Sequence, residues 1–213
     1  MTGASASRFF RAMALLVAAL ACGSAEAHLN ATGMGPIYDG LIHFLTSPED
    51  LVPALGLALL AGLRGAEYGR RALCTLPAGW LVGTLAGFTA TSASAGSFWA
   101  SLWFLLLGAL VVFDVKISLR ALTVLSGFLG LVHGFLNGSG MGFSVATIVV
   151  ALGLATAASI LVVLATAFVV RLRVHWARVA VRVGGSWIAA SGLLMLGWSM
   201  RGICADSAVK SCA

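Results

Sequence analysis

Six apolar runs, each near the length of a transmembrane helix, follow one another along this chain of 213 residues. A helix needs about 20 consecutive apolar residues to cross the hydrocarbon core of a bilayer. The runs cover residues 48–63, 72–90, 98–115, 119–137, 145–170 and 179–200. The first run is short, and it spans only if residues 36–45 continue it or fold back beside it. The pattern predicts an all-α, polytopic membrane bundle of about six transmembrane helices.

Composition supports the same class. Hydrophobic residues make up 60% of the chain and charged residues only 9%, which is far from the composition of a soluble domain. No polar stretch is long enough for a separate soluble domain, so residues 28–213 are interpreted as one domain whose main partner is the lipid bilayer. The net charge of +6 does not indicate a nucleic-acid partner, because the basic residues are not gathered into one patch.

The N-terminus has the features of a cleaved export signal. Two arginines precede a short apolar core, and residues 25–27 read Ala-Glu-Ala, which fits the A-x-A of a signal peptidase site. Residues 1–27 are therefore predicted to be a signal peptide. Two alternatives are lipidation of Cys22 and retention of the segment as an anchor, which its short apolar core disfavours.

Positive charge predicts the orientation, because Lys and Arg near helix ends are retained in the cytoplasm. Nine basic residues fall in or beside the connections after the first, third and fifth runs, and the other two connections carry none. They are Arg64, Arg70, Arg71, Lys116, Arg120, Arg171, Arg173, Arg178 and Arg182. Both mature termini are thus predicted outside the cytoplasm. The outer parts are segment 28–47 and tail 201–213, where Cys204 and Cys212 could form a disulfide.

Glycines at a spacing of four strip one face of two predicted helices. They are Gly79, Gly83 and Gly87 in the second run and Gly130, Gly134 and Gly138 around the fourth. Such faces allow two helix backbones to approach closely. Packing within the chain is the favoured interpretation, and a homo-oligomer through these faces is the alternative.

Three tryptophans lie near predicted outer helix ends. Trp99 and Trp103 begin the third run, and Trp198 ends the sixth. Amphipathic indole rings are enriched at membrane interfaces, so these positions predict an aromatic belt.

Few ionisable residues lie at membrane depth or at its outer edge. Glu67, Asp114 and Lys116 fall at predicted cytoplasmic ends, where solvation is the expected state. Ser47 suits a helix N-cap, and Glu49 and Asp50 then occupy the first turn, where the helix dipole favours negative charge. Capping explains these two acids without a further role.

Asp39 and His43 require another explanation. They are four residues apart, so a short helix beginning at Pro36 places them on one face. A carboxylate beside an imidazole can form an ion pair with it. Alternatively, one of the two groups binds a metal while the other orients it, or both bind the same metal.

His133 lies inside an apolar run, about one turn from the predicted outer end of the fourth helix. An ionisable residue within a membrane is a functional hypothesis by default. Asn137 follows at a spacing of four on the same helix face. The predicted orientation places His133 at the depth of residues 43–50. A site shared by these two segments is therefore expected.

Residues 43–51, the segment around His133-Gly134 and residues 178–194 resemble the HupE/UreJ family of bacterial membrane proteins. The resemblance covers the mature chain and implies a signal and six spans. Members accompany hydrogenase or urease genes and are regarded as nickel permeases. His43 and His133 match histidines of the family motifs. Glu49 stands where an aspartate is expected and Asp50 where a histidine is expected, while Gly140 replaces a glutamate.

These features together predict a non-enzymatic transporter of a divalent transition metal, Ni²⁺ in the first place, with no tightly bound cofactor. The expected metal-binding residues are His43, Glu49, Asp50 and His133, with His28, Asp39 and Asn137 as weaker candidates. Imidazole suits nickel, whereas a carboxylate in its place gives a harder and weaker site. His28, the first residue after the predicted cleavage, could chelate a metal through its free amine. The alternative is a non-transporting accessory or assembly protein with metalloenzyme maturation partners.

Overall fold

The described part of the chain forms a bundle of seven helices. The structure, a computed structural model, describes residues 32–90, 96–139, 141–172 and 175–211. The helices are α1 (Pro36–Thr46), α2 (Pro48–Arg64), α3 (Ala66–Gly87), α4 (Gly96–Val112), α5 (Leu119–Gly138), α6 (Val145–Arg171) and α7 (His175–Ser211). No strand occurs in these ranges, so the predicted all-α fold is confirmed. The predicted signal peptide and His28 lie outside the described residues.

Local sequence explains where several helices begin. Proline occupies the first position of both α1 and α2, where its missing N–H group has no helical partner to lose. The hydroxyl of Ser118 caps α5, and Ser144 forms a capping box with Thr147 at the start of α6. Ser47 is the N-cap residue of α2 as predicted, but its side chain makes no capping hydrogen bond.

The helices alternate in direction, which gives the bundle two chemically different ends. The basic end is where α2, α4 and α6 end and α3, α5 and α7 begin. The polar end is where α2 begins and α5 ends. One contact between helices distant in sequence marks each end of the bundle. Arg178 contacts Leu63 at the basic end, and Asp50 contacts His133 at the polar end.

The first predicted span is broken at the polar end. The axes of α1 and α2 meet at 74° across Ser47. In α1, Gly40 lies directly against the backbone of α6, and Gly153 of α6 lies against the backbone of α1. Residues 36–46 therefore do not extend α2 in a straight line; they pack against α6 instead, which corresponds to the folded-back arrangement.

Backbone packing joins α3 and α5. A Cβ atom added to any of the six glycines would overlap a backbone carbonyl oxygen of the opposite helix; the residues are Gly79, Gly83, Gly87, Gly130, Gly134 and Gly138. The predicted close packing is thus present within one chain. Because the two glycine faces cover each other, a homo-oligomer would need another surface.

Among the described residues, three helical stretches are individually long and apolar enough to cross a membrane, namely Leu119–Gly138, Val145–Arg171 and Arg178–Trp198. The bent pair α1 and α2 adds a fourth if it is counted as one span, and Trp99–Val112 is a shorter apolar helix. Helix α3 has 22 residues but carries Glu67, Arg70 and Arg71 in its first turns. The count of six spans therefore stays a prediction.

Several predicted span boundaries differ from the helix ends in the structure. Helix α3 begins at Ala66 rather than at residue 72 and ends at Gly87 rather than at residue 90. Helix α7 continues to Ser211, so most of the predicted outer tail is helical. Hydropathy does not detect these ends, because charged residues 67–71 and the polar residues after 200 are compatible with a helix but not with a span.

Arginine contacts hold the basic end together. Arg64 at the end of α2 forms an ion pair with Asp114, and the exposed fractions of the two side chains are 11% and 35%. Arg178 donates to the carbonyl of Leu63 at 2.8 Å, which satisfies an acceptor in the last turn of α2. Asp114 is therefore not simply a solvated interfacial acid, as its position in the sequence suggested.

Candidate metal-binding site

A continuous hydrogen-bonded chain of four side chains lies at the polar end. The Nδ1 atom of His133 lies 2.9 Å from Asp50 Oδ1, and Asn137 Nδ2 donates to Asp50 Oδ2 at 2.9 Å. His43 Nε2 lies 3.2 Å from Asn137 Oδ1. Helices α1, α2 and α5 thus each contribute to one network. The expected convergence of residues 43–50 with His133 is present in the structure.

The network determines which histidine nitrogens are available. A carboxylate oxygen only accepts, so Nδ1 of His133 carries the proton that it donates to Asp50, and Nε2 keeps its lone pair when the ring is neutral. Asn137 donates its amide N–H to Asp50, which leaves its oxygen to accept from Nε2 of His43. Nδ1 of His43 then keeps its lone pair. Each imidazole therefore retains one nitrogen that could bind a metal.

His133 is buried, with 3% of its side chain exposed, and its Nε2 atom has no hydrogen-bond partner among the described residues. A buried polar atom without a partner is uncommon and costs desolvation free energy. Asp50 is 4% exposed. Because its two oxygens are occupied by His133 and Asn137, Asp50 orients the imidazole in the way that carboxylates orient metal-binding histidines.

Two indole rings pack around His133. The ring centroid of Trp80 lies 5.6 Å from that of His133, and the centroid of Trp103 lies at 6.3 Å. Both tryptophans are buried. The prediction that Trp103 belongs to an interfacial belt is therefore wrong. The contacts of these two rings with His133 were not predicted from the sequence. The signal for Trp80 was its position beside Gly79 on the glycine face, directly opposite Gly134 of α5.

The other predicted residues lie at the margin of this network. Glu49 is exposed beside Asp50 and within electrostatic range of both histidines. Asp39 accepts hydrogen bonds from the backbone and the hydroxyl of Thr32 at 2.7 and 2.6 Å. Asp39 and His43 share α1 but each binds a different partner, so the expected pairing of these two residues does not form.

In this conformation no group of three or more His, Cys, Asp or Glu side chains within the described ranges could hold a metal ion. The two free histidine nitrogens belong to separate rings joined through Asn137, and Asp50 is already engaged. The assignment of His43, Glu49, Asp50 and His133 as one ligand set therefore stays a prediction. Their joint use would require a rearrangement.

The family profile described as HupE / UreJ protein matches residues 15–195, which is most of the chain. The chain belongs to the HupE/UreJ family. No curated protein sequence and no solved structure matches it. The HupE/UreJ family is associated with nickel or cobalt transport or with an accessory role beside urease or hydrogenase. The match includes every residue of the hydrogen-bonded network.

One departure from the HupE/UreJ motifs lies within the hydrogen-bonded network. Asp50, which stands where the resemblance implies a histidine, contacts His133 directly. The substitution exchanges a nitrogen ligand for a carboxylate that holds the other histidine in place.

Proposed function

We propose that this protein is a secondary permease for a divalent transition metal, with Ni²⁺ as its main cargo, and that His133 is the central ligand. The observation that carries the proposal is the orphaned, buried Nε2 atom of His133, whose ring is held by Asp50 through Nδ1. This arrangement leaves a lone pair at membrane depth that no hydrogen bond from the described part of the chain occupies.

Chemistry favours a late transition metal as the cargo. Imidazole nitrogen binds Ni²⁺, Cu²⁺ and Zn²⁺ better than it binds Mg²⁺ or Ca²⁺. His43 and the exposed Glu49 provide a second nitrogen and a carboxylate near the entrance. A set with so few ligands binds weakly, and weak binding permits release, as transport requires.

The proposed topology places this site towards the outside. We propose six spans after a cleaved signal at residues 1–27, in the inner membrane of a bacterium, with both mature termini outside the cytoplasm. The arginines of the basic end support this orientation. The polar end, with His43 and His133, then faces the compartment from which the metal is taken.

Uptake by purified protein in proteoliposomes tests the proposal. With Ni²⁺ outside and a metal-sensitive dye inside, wild-type protein should give flux, and His43→Ala and His133→Ala should each reduce it at equal protein content. Thr46→Ala is the matched control, because Thr46 lies on the same helix as His43 but donates to carbonyl oxygens of that helix. Unchanged flux in both histidine variants would reject this site.

The second function within the family is an accessory role without transport. It predicts no flux for the wild-type protein in proteoliposomes and co-purification with a maturation protein of a metalloenzyme. Equilibrium binding of Ni²⁺ to the same sample separates the two outcomes further. Binding without flux would favour metal delivery to a partner.

A further inference from the structure

A surface groove between α3 and α6 ends in two arginines at the basic end. It has a volume of about 320 Å³, and its apolar walls include Leu73, Val162, Val163 and Val170. Arg70 and Arg171 lie at its basic-end margin. We call this feature the α3–α6 groove. It lies far from the His133 network, which is at the opposite end of the bundle.

Small residues create the groove. Gly69 contacts the side chain of Thr166 so closely that a Cβ atom at position 69 would overlap it. This contact forms the floor, and Ala66 and Ala167 leave the sides open. From Val162 to Arg171 the helix rises by about 13 Å, which is enough for a large part of an acyl chain to lie along it.

The two arginines of the groove differ from the others at the basic end. Arg64, Arg178 and Arg182 are engaged with Asp114 or with helix carbonyls. Arg70 and Arg171 are exposed, and neither forms a salt bridge within the described part of the chain. Their positive charge is therefore available to an anion at the end of an apolar groove.

Simpler roles explain only part of this arrangement. Arg171 in the last turn of α6 balances the helix dipole, and both arginines fit the charge rule for membrane topology. Neither role accounts for the apolar α3–α6 groove that ends at the two arginines.

We propose that the α3–α6 groove binds one anionic phospholipid. One acyl chain lies along the apolar walls, and the phosphate lies between Arg70 and Arg171. Basic pockets between transmembrane helices on the cytoplasmic side are a known type of site for anionic headgroups. The site is independent of metal binding, so its occupant stabilises the contact between α3 and α6 whatever the protein transports.

Native mass spectrometry of the full chain in detergent tests whether the two arginines bind an anionic headgroup. The purified protein is titrated with dioleoylphosphatidylglycerol or with dioleoylphosphatidylcholine, which has the same chains. Wild-type protein should retain one phosphatidylglycerol molecule in preference to phosphatidylcholine. The double variant Arg70→Ala/Arg171→Ala should lower its affinity by about 30-fold, or about fivefold for each arginine.

Arg71→Ala is the matched control, because Arg71 is an exposed neighbour that does not line the groove. It should change phosphatidylglycerol affinity less than about twofold. Equal retention of the two lipids by wild-type protein, or an equal loss in the control and the double variant, would overturn the proposal.

Ala167→Phe tests whether an acyl chain lies in the groove, and it changes no charge. The larger side chain should fill the groove and abolish the selective lipid, whereas Ala180→Phe on an exposed position of α7 should not. If Ala167→Phe leaves lipid retention intact, the groove is not the site. If it instead converts a dimer to a monomer, the groove belongs to a second copy of the chain.

Discussion

Asp50 and His133 are 83 positions apart in the sequence, and the oxygen and nitrogen that join them are 2.9 Å apart at the polar end of the bundle. The contact links the first turn of α2 to the last turns of α5. It keeps a buried imidazole in one orientation, and within the described ranges the Nε2 atom of that ring has no hydrogen-bond partner. An acid that the sequence explains as a helix-capping residue is thus the orienting partner of the proposed metal ligand.

Asp50→Asn should weaken Ni²⁺ binding although Asp50 is not itself the proposed ligand. Loss of the carboxylate removes the charge that supports His133, and such changes lower metal affinity by about 10- to 100-fold. Isothermal titration calorimetry of the purified protein measures the effect. The absorption spectrum of bound nickel should be kept in Asp50→Asn and altered in His133→Ala. A spectrum altered equally in both variants would show that Asp50 is a direct ligand.

Nickel binding should quench tryptophan fluorescence, because two indole rings lie about 6 Å from His133. Open-shell Ni²⁺ at Nε2 would be close enough to both rings for efficient quenching. Trp103→Phe should reduce the amplitude of the quench, and His133→Ala should remove it. Trp187→Phe is the control, since this exposed ring on α7 has no contact with the site. A quench of equal size in wild-type protein and His133→Ala would place the metal elsewhere.

Gly134→Ala should destabilise the bundle. A Cβ atom there would overlap the carbonyl oxygen of Trp80, so α3 and α5 would have to separate, at a cost of about 1–3 kcal/mol. Gly127→Ala is a matched control on the same helix, because a Cβ atom at Gly127 meets open space. It should be neutral or slightly stabilising, since alanine favours helix over glycine. Thermal unfolding in detergent, followed by light scattering and circular dichroism, compares the two; equal losses would contradict the packing.

The ion pair between Arg64 and Asp114 should contribute to stability as a pair. A double-mutant cycle with Arg64→Ala and Asp114→Ala isolates the coupling, which we expect to be about 1 kcal/mol because the pair is only partly exposed. Asp114 has a positive φ of 49°, so Asp114→Asn, a residue that tolerates this conformation, separates charge from backbone effects. Urea unfolding provides the measurement, and a coupling of zero would mean that the pair is replaced by solvent.

Much of the fold could be predicted because periodicity and charge act locally. The predicted span 119–137 corresponds closely to α5 (Leu119–Gly138), and 145–170 corresponds to α6 (Val145–Arg171). The glycine spacing correctly predicted which helices would pack closely. Burial of backbone groups in lipid leaves few alternatives for such segments, so the sequence restricts them strongly.

The rotation of each helix about its axis was harder to predict. Trp103 was assigned to the interface and is buried beside His133, because the apolar sequence of α4 does not indicate which face is inside. The partner of Asp39 is Thr32, which precedes α1 in an irregular segment. Such contacts depend on the exact approach of two elements, which hydropathy does not specify.

The packing of α3 against α5 has a mechanical consequence. Backbones in direct contact cannot slide or tilt independently, so this pair should move as one rigid body that carries Trp80, His133 and Asn137. Asp50 and His43 lie on α2 and α1, outside this pair, so the hydrogen-bonded network joins the pair to another part of the bundle. A disulfide joining α3 to α5 should therefore leave metal release intact, whereas one joining α2 to α5 should slow release if the network must open.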